Sequence, residues 1–451
     1  MKLLRRKIDN YLKEWKSDKE RMPLIVKGAR QVGKTASILQ FAHDNYQNVV
    51  AINFVLQQKY KAIFEEGYEV DSIIQNLTLI NPSLKIEAGN TLIFFDEMQD
   101  CPACATSLKA FKIDGRYDVI CSGSLMGINY REIESNSVGY KEDYTMHSMD
   151  FEEFLWAKGY DFAFIERLYE KMASITPLSN IEMNVLERLF REYMTIGGMP
   201  AVVNMFVSNG NFSGTLKMQH QLLLDYEEDI TKYAQAKYAQ GLDKGKIKNV
   251  YDHISVFLGQ DNKKFQISKI AHGARNREYV GTIEWLRDAG IINVCYCLAQ
   301  VSLPLKGNYD PKSYKLYYKD TGLLVASLDE ESQEDIRVNK NYGTYKGAIY
   351  ENIVGDMLVK QGYNLYFYRN EKSTLEMDFF IRDAQSLIPV EVKATDNATR
   401  SLAKLTAQDG KYPDIKYGIK LCNKNIGFNG KFYTFPYFLT FLLKRFVRRE
   451  R

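Results

Sequence analysis

Residues 21–37 read RMPLIVKGARQVGKTAS, and they are the part of the chain most informative about its architecture. Its apolar start is typical of a buried strand, and it leads into GARQVGKT, which fits the pattern G-x-x-x-x-G-K-[ST]. A helix-compatible apolar stretch follows at once. The order of strand, glycine-bracketed loop and helix is the setting in which a backbone loop wraps its N–H groups around phosphate oxygens. The stretch therefore predicts a P-loop.

The predicted P-loop gives a role to each of its residues. Lys34 would reach the β- and γ-phosphates, which makes it a candidate catalytic residue, and the Thr35 hydroxyl would be a ligand of Mg²⁺. A glycine-rich turn that merely precedes a lysine is the alternative, and the flanking strand and helix disfavour it. The candidate nucleotide-binding residues are Gly28, Ala29, Arg30, Gln31, Val32, Gly33, Lys34, Thr35 and Ala36.

Two later strands are predicted to end beside this loop. The apolar run TLIFFDE ends in Asp96 and Glu97, where Asp96 would hold Mg²⁺ and Glu97 would polarise the attacking water. The run DVICSGS likewise ends in small polar residues. Ser122 is the candidate for a contact to the γ-phosphate, with Ser124 second, and a simple strand-ending turn is the alternative.

Bulk composition limits the classes of function. The chain has 451 residues, of which 45% are hydrophobic and 26% charged, and this length predicts two to four domains. We find no run of 18 apolar residues, so no membrane span is expected. The basic start, MKLLRRKIDN, lacks the apolar segment of a signal peptide. Because the net charge is only +4, any nucleic-acid surface must be local.

The six cysteines show no framework spacing, which predicts a reducing, cytoplasmic location. Cys101 and Cys104 form a C-x-x-C pair that Cys295 and Cys297 could complete to four zinc ligands. The second pair, however, lies in a strand-like run, IINVCYCLA. Ordinary thiols are therefore the favoured interpretation, with zinc or redox chemistry as the alternative.

Taken together, the motifs resemble a widespread bacterial and archaeal family of AAA-type ATPases related to switch-like signalling NTPases. Members carry G-x-R-Q-x-G-K-T, a D-E-x-Q strand end and a T-G-S turn. The matching pieces here are GARQVGKT, DEMQ, SGS with serine for threonine, IGGMP (196–200) and DTGLL (320–324). They extend over most of the chain. No base-reading motif is visible, so the preference for ATP over GTP is what the resemblance alone implies.

One departure from the family pattern concerns an arginine. Relatives carry Gly-Arg just before the segment that matches MDFEEF, whereas this chain has Gly139, Tyr140 and Lys141 there. Such an arginine could neutralise charge on the γ-phosphate. Lys141 or Arg131 is the candidate replacement, and turnover without the arginine is expected to be slow.

The predicted fold class is α/β. Changes in the sequence pattern along the chain predict four domains. Helical periodicity follows the ATPase core, and a helix–helix–strand pattern typical of a winged helix comes next. Arg275, Asn276 and Arg277 would start its third helix, where a recognition helix meets DNA, although such a domain can also be a spacer between domains. The predicted ranges are 1–160 for the P-loop ATPase core, 161–240 for a helical lid, 241–312 for the winged helix and 313–451 for a restriction-endonuclease-like domain.

The last of these domains contains a second candidate site. Glu351 lies on a predicted helix, Asp378 opens a strand, and Glu391 and Lys393 share one face of the next strand. The arrangement resembles restriction-endonuclease-like nucleases. Asp378 and Glu391 would be catalytic metal ligands for Mg²⁺, Glu351 would assist through water, and Lys393 would orient or deprotonate the water. A fold used only for binding is the alternative, because a shared fold does not imply a shared reaction.

The sequence thus predicts a Mg²⁺-dependent ATPase whose nucleotide state controls a DNA-directed C-terminal half. Double-stranded DNA and a homo-oligomer are the expected partners. The alternative is an ATP-dependent signalling switch whose nuclease-like domain binds a partner without cutting. The two hypotheses differ in whether Asp378, Glu391 and Lys393 converge around one metal-sized gap.

Overall fold

A computed structural model describes residues 3–124, 137–235, 243–260, 262–271, 273–340, 345–370, 374–393, 399–407 and 410–449, without the side chains of 231–235 and 276. The chain divides into two compact units. The first ends at Ser148 and the second begins at Met149, while residues 233–235 and 288–290 group with the first.

The first unit is built on a parallel five-stranded sheet. Its strands are β1 (Leu24–Gly28), β2 (Asn48–Asn53), β3 (Thr91–Asp96), β4 (Asp118–Ser124) and β5 (Glu142–Met146). Their order in the sheet is β2-β3-β4-β1-β5, and every neighbouring pair is parallel. β1 and β3 are buried along their whole length, as continuous apolar runs require. The predicted α/β core with a parallel sheet is confirmed.

Helices pack on this sheet through aromatic and aliphatic side chains. The rings of Phe54, Phe95 and Phe111 form one contiguous cluster in the core of the unit. At the N-terminus, Trp15 packs edge-on against Phe41. The helices in the described part of the unit are α1 (Lys7–Ser17), α2 (Lys34–Asn45), α3 (Val70–Ile80) and α4 (Ala103–Asp114).

The second unit opens with a long run of helices. Several begin with side-chain caps, as when Asp161 and Ser179 accept hydrogen bonds from backbone N–H groups of the first turn. The helices are α5 (Phe151–Ala157), α6 (Phe162–Ala173), α7 (Asn180–Ile196), α8 (Pro200–Asn209), α9 (Thr215–Gln235), α10 (Lys244–Leu258), α11 (Ile267–Ile270) and α12 (Val280–Asp288).

The rest of the unit is α/β. Its helices are α13 (Thr321–Ala326), α14 (Glu330–Val338), α15 (Tyr345–Lys360), α16 (Arg400–Leu405) and α17 (Leu443–Arg448). Its strands are β6 (Ile292–Leu298), β7 (Tyr309–Tyr318), β8 (Leu365–Arg369), β9 (Glu376–Met377), β10 (Phe379–Arg382), β11 (Leu387–Val392), β12 (Gly418–Cys422), β13 (Gly427–Phe428) and β14 (Phe432–Pro436). They form two mixed sheets with the orders β7-β6-β8-β9 and β10-β11-β12-β14-β13.

The range predicted as a winged helix, 241–312, contains α10, α11, α12 and strand β6. Its second helix covers only Ile267–Ile270, and its third helix begins at Val280 after a single 3₁₀ turn that starts at Asn276. Strand β7 crosses the predicted boundary at residue 312, and β6 pairs in parallel with β8. The hairpin of β6 and β7 therefore shares a sheet with strands of the range predicted to be nuclease-like. The winged helix and the four-domain division remain predictions.

The motifs IGGMP and DTGLL pack directly against each other in the second unit. The Asp320 carboxylate accepts hydrogen bonds from the backbone N–H groups of Gly198 (2.8 Å) and Gly322 (3.0 Å). A Cβ atom at Gly197 would lie 1.9 Å from Asp320 Oδ1, and one at Gly198 would lie 1.9 Å from the backbone oxygen of Met149. The Asp320 carboxylate beside Gly197 and the Met149 backbone beside Gly198 therefore leave no room for a side chain at either position.

Gly198→Ala is expected to destabilise the protein by about 3 kcal/mol or more, because the added methyl group collides with backbone that cannot move aside locally. The free energy of unfolding is measured by chemical denaturation followed by circular dichroism. Gly427→Ala is the matched control, since nothing lies within 4 Å of a Cβ atom there. We expect that control to change stability by less than about 1 kcal/mol. Equal stability of the two variants would contradict the packing argument.

Candidate functional site

The P-loop joins the end of β1 to the start of α2. Gln31 (φ 61°) and Gly33 (φ 98°) both have left-handed backbone, so the loop reverses direction before α2 begins at Lys34. Gly28 is required for another reason: a Cβ atom there would lie 2.4 Å from the Met146 oxygen of β5. The first turn of α2 leaves N–H groups without helical partners, which is the usual anion site at a helix start.

Lys34 is only 9% exposed and is held by the loop itself. Its ammonium group donates hydrogen bonds to the backbone oxygens of Gly28 (3.1 Å) and Ala29 (2.8 Å). Burial lowers the pKa of Lys34 to about 8, although the nearby carboxylates of Glu97 and Asp96 act in the opposite direction. The loop thus holds an ammonium group whose burial disfavours its charged form, and a bound phosphate would stabilise that charge.

We expect the affinity for MgATP to fall between pH 8 and pH 9.5, approaching tenfold per pH unit. Since the pKa of Lys34 is about 8, deprotonation above this pH removes the charge that phosphates need. The phosphates themselves stay ionised, because their second pKa is about 6. Titration with a fluorescent ATP analogue measures the affinity. Lys34→Arg is the control, since its guanidinium keeps its charge and should give a flat profile. A flat wild-type profile would disprove this role of the ammonium group.

Asp96 lies at the end of β3, where hydroxyl and amide groups surround its carboxylate. The Thr35 hydroxyl lies 3.2 Å and 3.1 Å from its two oxygens, and the Asn53 amide donates to Oδ2 at 3.1 Å. The Ser122 hydroxyl donates to Oδ1. The structure therefore brings together the predicted residues Thr35, Asp96 and Ser122, and adds Asn53 from the neighbouring strand.

Glu97 follows β3 in a left-handed conformation (φ 56°), which turns its side chain away from the strand direction. The Gln99 side-chain amide donates a hydrogen bond to the Glu97 carboxylate. The Gln99 side-chain oxygen in turn lies 3.3 Å from the backbone nitrogen of Ser124 at the end of β4. Gln99 thus links the predicted general base to the neighbouring strand.

Arg6 supports the P-loop from the N-terminal segment. The Arg6 guanidinium is buried and donates to the backbone oxygens of Val32 and His147, each at 2.7 Å. It therefore ties the loop to the segment just after β5. Sequence reasoning missed Arg6 because its partners are 26 and 141 residues away.

Lys141 and Arg131 are the two candidate replacements for the family arginine, and the structure describes Lys141. The Lys141 ammonium group lies 2.7 Å from Asp143 Oδ2, and Lys27 lies 3.0 Å from the other oxygen of the same carboxylate. Lys141 is thus already paired at the edge of the sheet. Arg131 lies outside the described residues.

In the second unit, Glu351 on α15 is 2% exposed and fully engaged by neighbouring side chains. Its Oε1 accepts hydrogen bonds from Lys315 (2.8 Å) and Tyr317 (2.5 Å), and its Oε2 accepts one from Lys263. Burial alone would raise the pKa of Glu351, but Lys263 and Lys315 outweigh it and lower the pKa to about 2. Two ammonium groups therefore lie where the predicted metal ion would need this carboxylate.

The other three predicted residues meet at the ends of β10 and β11. Asp378 Oδ2 accepts a hydrogen bond from the backbone nitrogen of Val392 (2.8 Å), and burial together with the charge of Glu351 raises its pKa to about 6. Glu391 Oε1 lies 2.9 Å from the Lys393 ammonium group. Glu391 Oε2 is buried and has no hydrogen-bond partner in the described part of the chain.

Among the residues that the structure describes, no three His, Cys, Asp or Glu side chains are grouped closely enough to hold one metal ion. All six cysteines are buried free thiols. The thiol hydrogen bond between Cys104 and Cys121 lies within the core of the first unit.

The arginines predicted to read DNA are exposed. Arg275 and Arg277 both face solvent, and the side chain of Asn276 lies outside the described residues. They precede α12 and are not part of its first turn. None of the helices described is long and apolar enough to cross a membrane.

Three protein-family models match successive parts of the chain. Residues 20–155 match an AAA domain, residues 187–334 a domain of unknown function (DUF8612), and residues 346–438 another domain of unknown function (DUF4143). The chain is 21% identical over 382 residues to an uncharacterized protein of Haemophilus influenzae, covering 82% of this chain and 81% of that protein.

Two solved structures show distant similarity to this chain. The Aeropyrum pernix ORC1 protein in complex with DNA is 11% identical, with 75% of this chain and 93% of that chain covered and a TM-score of 0.27. AMPPCP-bound DnaA from Aquifex aeolicus is 10% identical, with 62% and 77% covered and a TM-score of 0.25. Similarity this weak assigns neither a fold nor a function to this chain. The match of residues 20–155, together with the sheet and the loop, supports the predicted P-loop domain of the AAA type.

Proposed function

We propose that the first unit binds MgATP through residues 28–36 and hydrolyses it. The observation that carries this proposal is the meeting of three predicted side chains at one end of the parallel sheet. The buried Lys34 ammonium group lies in the loop, and the Thr35 hydroxyl lies 3.1 Å from the Asp96 carboxylate. A cation, a hydroxyl and a carboxylate at a helix start are the parts that phosphoryl transfer uses.

The donor set at this end of the sheet fits Mg²⁺. Thr35 and Asp96 offer the oxygen ligands that this ion prefers, and Asn53 and Ser122 hold the carboxylate in place. Bound Mg²⁺ would neutralise charge that develops on the phosphates. In the proposal Glu97 polarises the attacking water, and Ser122, whose hydroxyl is bonded to Asp96, contacts the γ-phosphate.

For the second unit we propose DNA binding under the control of the nucleotide state. Support comes from the exposed Arg275 and Arg277 and from the family resemblance. We also propose that the protein forms homo-oligomers and is located in the cytoplasm.

A nuclease reaction in this unit would rest on Asp378 and Glu391, with Lys393 beside them. The buried Glu391 Oε2, which lacks a hydrogen-bond partner among the described residues, is an oxygen that a cation would satisfy. Glu351 is left out of the proposed ligand set, because removing a carboxylate from two lysines and a tyrosine would leave buried charges unpaired.

A second candidate function is a switch that binds ATP and hydrolyses it slowly, with a C-terminal half that binds without cutting. Two observations favour it. Lys141 is paired with Asp143 and so is not placed as a replacement for the family arginine. Glu351, one of the three predicted carboxylates, already has three partners.

Phosphate release from ATP with Mg²⁺, measured with and without double-stranded DNA, separates the two functions. The proposal predicts that DNA accelerates release several-fold and that Asp378→Ala leaves this acceleration intact. If the wild-type chain nicked supercoiled plasmid and Asp378→Ala did not, the second unit would also have nuclease activity. Tight ATP binding with slow, DNA-indifferent release would overturn DNA control and favour the switch.

A further inference from the structure

A large cavity in the second unit lies outside both proposed sites. Its accessible volume is about 860 Å³, which is within the range of small-molecule sites. Four segments form its walls: a loop after β6, the turn between α15 and β8, the turn between β10 and β11, and helix α17. No residue proposed for nucleotide or metal binding lines it.

Most of the charged side chains around the cavity are positive. Its single lining carboxylate, Asp383, already accepts hydrogen bonds from the backbone nitrogens of Gln385 (2.7 Å) and Ser386 (2.6 Å). That carboxylate therefore closes the turn between β10 and β11, and in the described part of the chain it forms no ion pair. The lining cations are Lys306, Arg382, Lys444, Arg448 and Arg449.

Several of these cations are not neutralised by the protein. Within the described part of the chain, Lys306 and Arg448 are exposed and form no ion pair, and Arg382 bonds only to backbone oxygens of the adjacent turn. Burial, and then the charge of Arg448, lower the pKa of Lys444. Like charges held this close in a concave wall raise the local concentration of anions.

The walls between the cations are apolar or aromatic. Tyr366 and Phe380 are buried at the cavity wall. The Tyr363 hydroxyl is buried and has no hydrogen-bond partner among the described residues. The wall therefore combines apolar surface with cations, and such a mixture suits an organic anion better than a bare ion.

We propose that this cavity binds a phosphorylated small molecule of nucleotide size. The cations would hold the phosphates, and the apolar part of the wall would contact the organic part of the ligand. A small ligand is favoured over a DNA duplex because the cations surround a concavity, whereas a duplex backbone, with one charge per about 1.7 Å, needs a row of cations along an accessible face. The site is separate from the P-loop and would bring a second ligand to the protein.

The test is calorimetric titration of ADP into the full chain carrying Lys34→Ala, which removes the phosphate contact of the first unit. We expect ADP to bind, and to bind about tenfold more weakly or worse when Arg448→Glu is added. Lys306→Glu is a second variant, on an exposed loop. With it the test does not depend on whether Arg448→Glu folds correctly. Lys431→Glu, an exposed lysine outside the cavity, is the matched control and should leave the affinity unchanged.

Three outcomes would overturn the proposal: no ADP binding to the Lys34→Ala chain, equal binding in all variants, or binding of a 20-base-pair duplex alone with the same sensitivity to Arg448→Glu. The last result would assign the cations to DNA. Because ATP hydrolysis by the wild-type chain is measured separately, failure at the P-loop and failure at this cavity are distinguishable.

Discussion

Lys34→Ala is expected to weaken MgATP binding about 100-fold or more and to reduce hydrolysis to the background rate. The change removes the ammonium group that the backbone oxygens of Gly28 and Ala29 hold in the loop. A factor of 100 corresponds to about 2.8 kcal/mol, which is a reasonable value for charge-assisted hydrogen bonds between a buried cation and phosphate. Binding is measured with a fluorescent ATP analogue, and hydrolysis by phosphate release.

Lys19→Ala is the control for this variant, because Lys19 is an exposed lysine of the same unit. It should bind and hydrolyse ATP as the wild type does. If Lys34→Ala hydrolysed ATP at the wild-type rate, the P-loop would not be the site of hydrolysis.

Glu97→Gln is expected to lower the hydrolysis rate about 100-fold or more while MgATP affinity changes less than about threefold. Glutamine keeps the size of the side chain and its place beside Gln99, but its amide cannot polarise water as a carboxylate does. The variant should therefore accumulate bound ATP. Single-turnover hydrolysis and recovery of intact ATP from the isolated complex measure the two effects.

Asp100→Asn provides the matched control, since it removes an exposed carboxylate three residues further along the chain. Its hydrolysis rate should equal that of the wild type. Unchanged hydrolysis in Glu97→Gln would show that another group activates the water, and it would leave the assignment of Lys34 intact.

The parts of the first unit that could be predicted from sequence are those that short stretches encode. The strand, the loop and the start of α2 are continuous in the chain, so residues 21–37 were sufficient to predict them. Asp96 and Ser122 each end an apolar run, and parallel strands end at the same edge of a sheet. The structure accordingly places the Asp96 carboxylate within hydrogen-bond distance of both the Thr35 and the Ser122 hydroxyl groups.

Other features depend on contacts between distant segments. Strand β5 has the sequence EDYTM, which lacks an apolar run, yet it forms the wall that excludes any side chain at Gly28. Asn53 was visible only as a polar residue at a strand end, and nothing local marked it as a partner of Asp96.

The candidate nuclease-like site also depends on contacts between distant segments, which the sequence does not reveal. Its helix and strands could be predicted from local patterns, and Glu351 lies on α15 as expected. Its partners Lys263 and Lys315 come from segments 88 and 36 residues earlier in the chain. A pattern of carboxylates and one lysine therefore could not show that two further lysines neutralise the predicted ligand.

The packing of IGGMP against DTGLL also constrains how this protein can be shortened. The hydrogen bond between Gly198 and Asp320 joins segments 122 residues apart. A fragment that begins after Gly198 or ends before Asp320 retains only one side of this contact, and the buried carboxylate or the N–H group left behind loses its partner. Genes cut at the predicted borders after residues 240 and 312 would therefore encode incomplete pieces. The smallest self-sufficient part of the second unit includes both motifs, and the family model that spans residues 187–334 includes both as well.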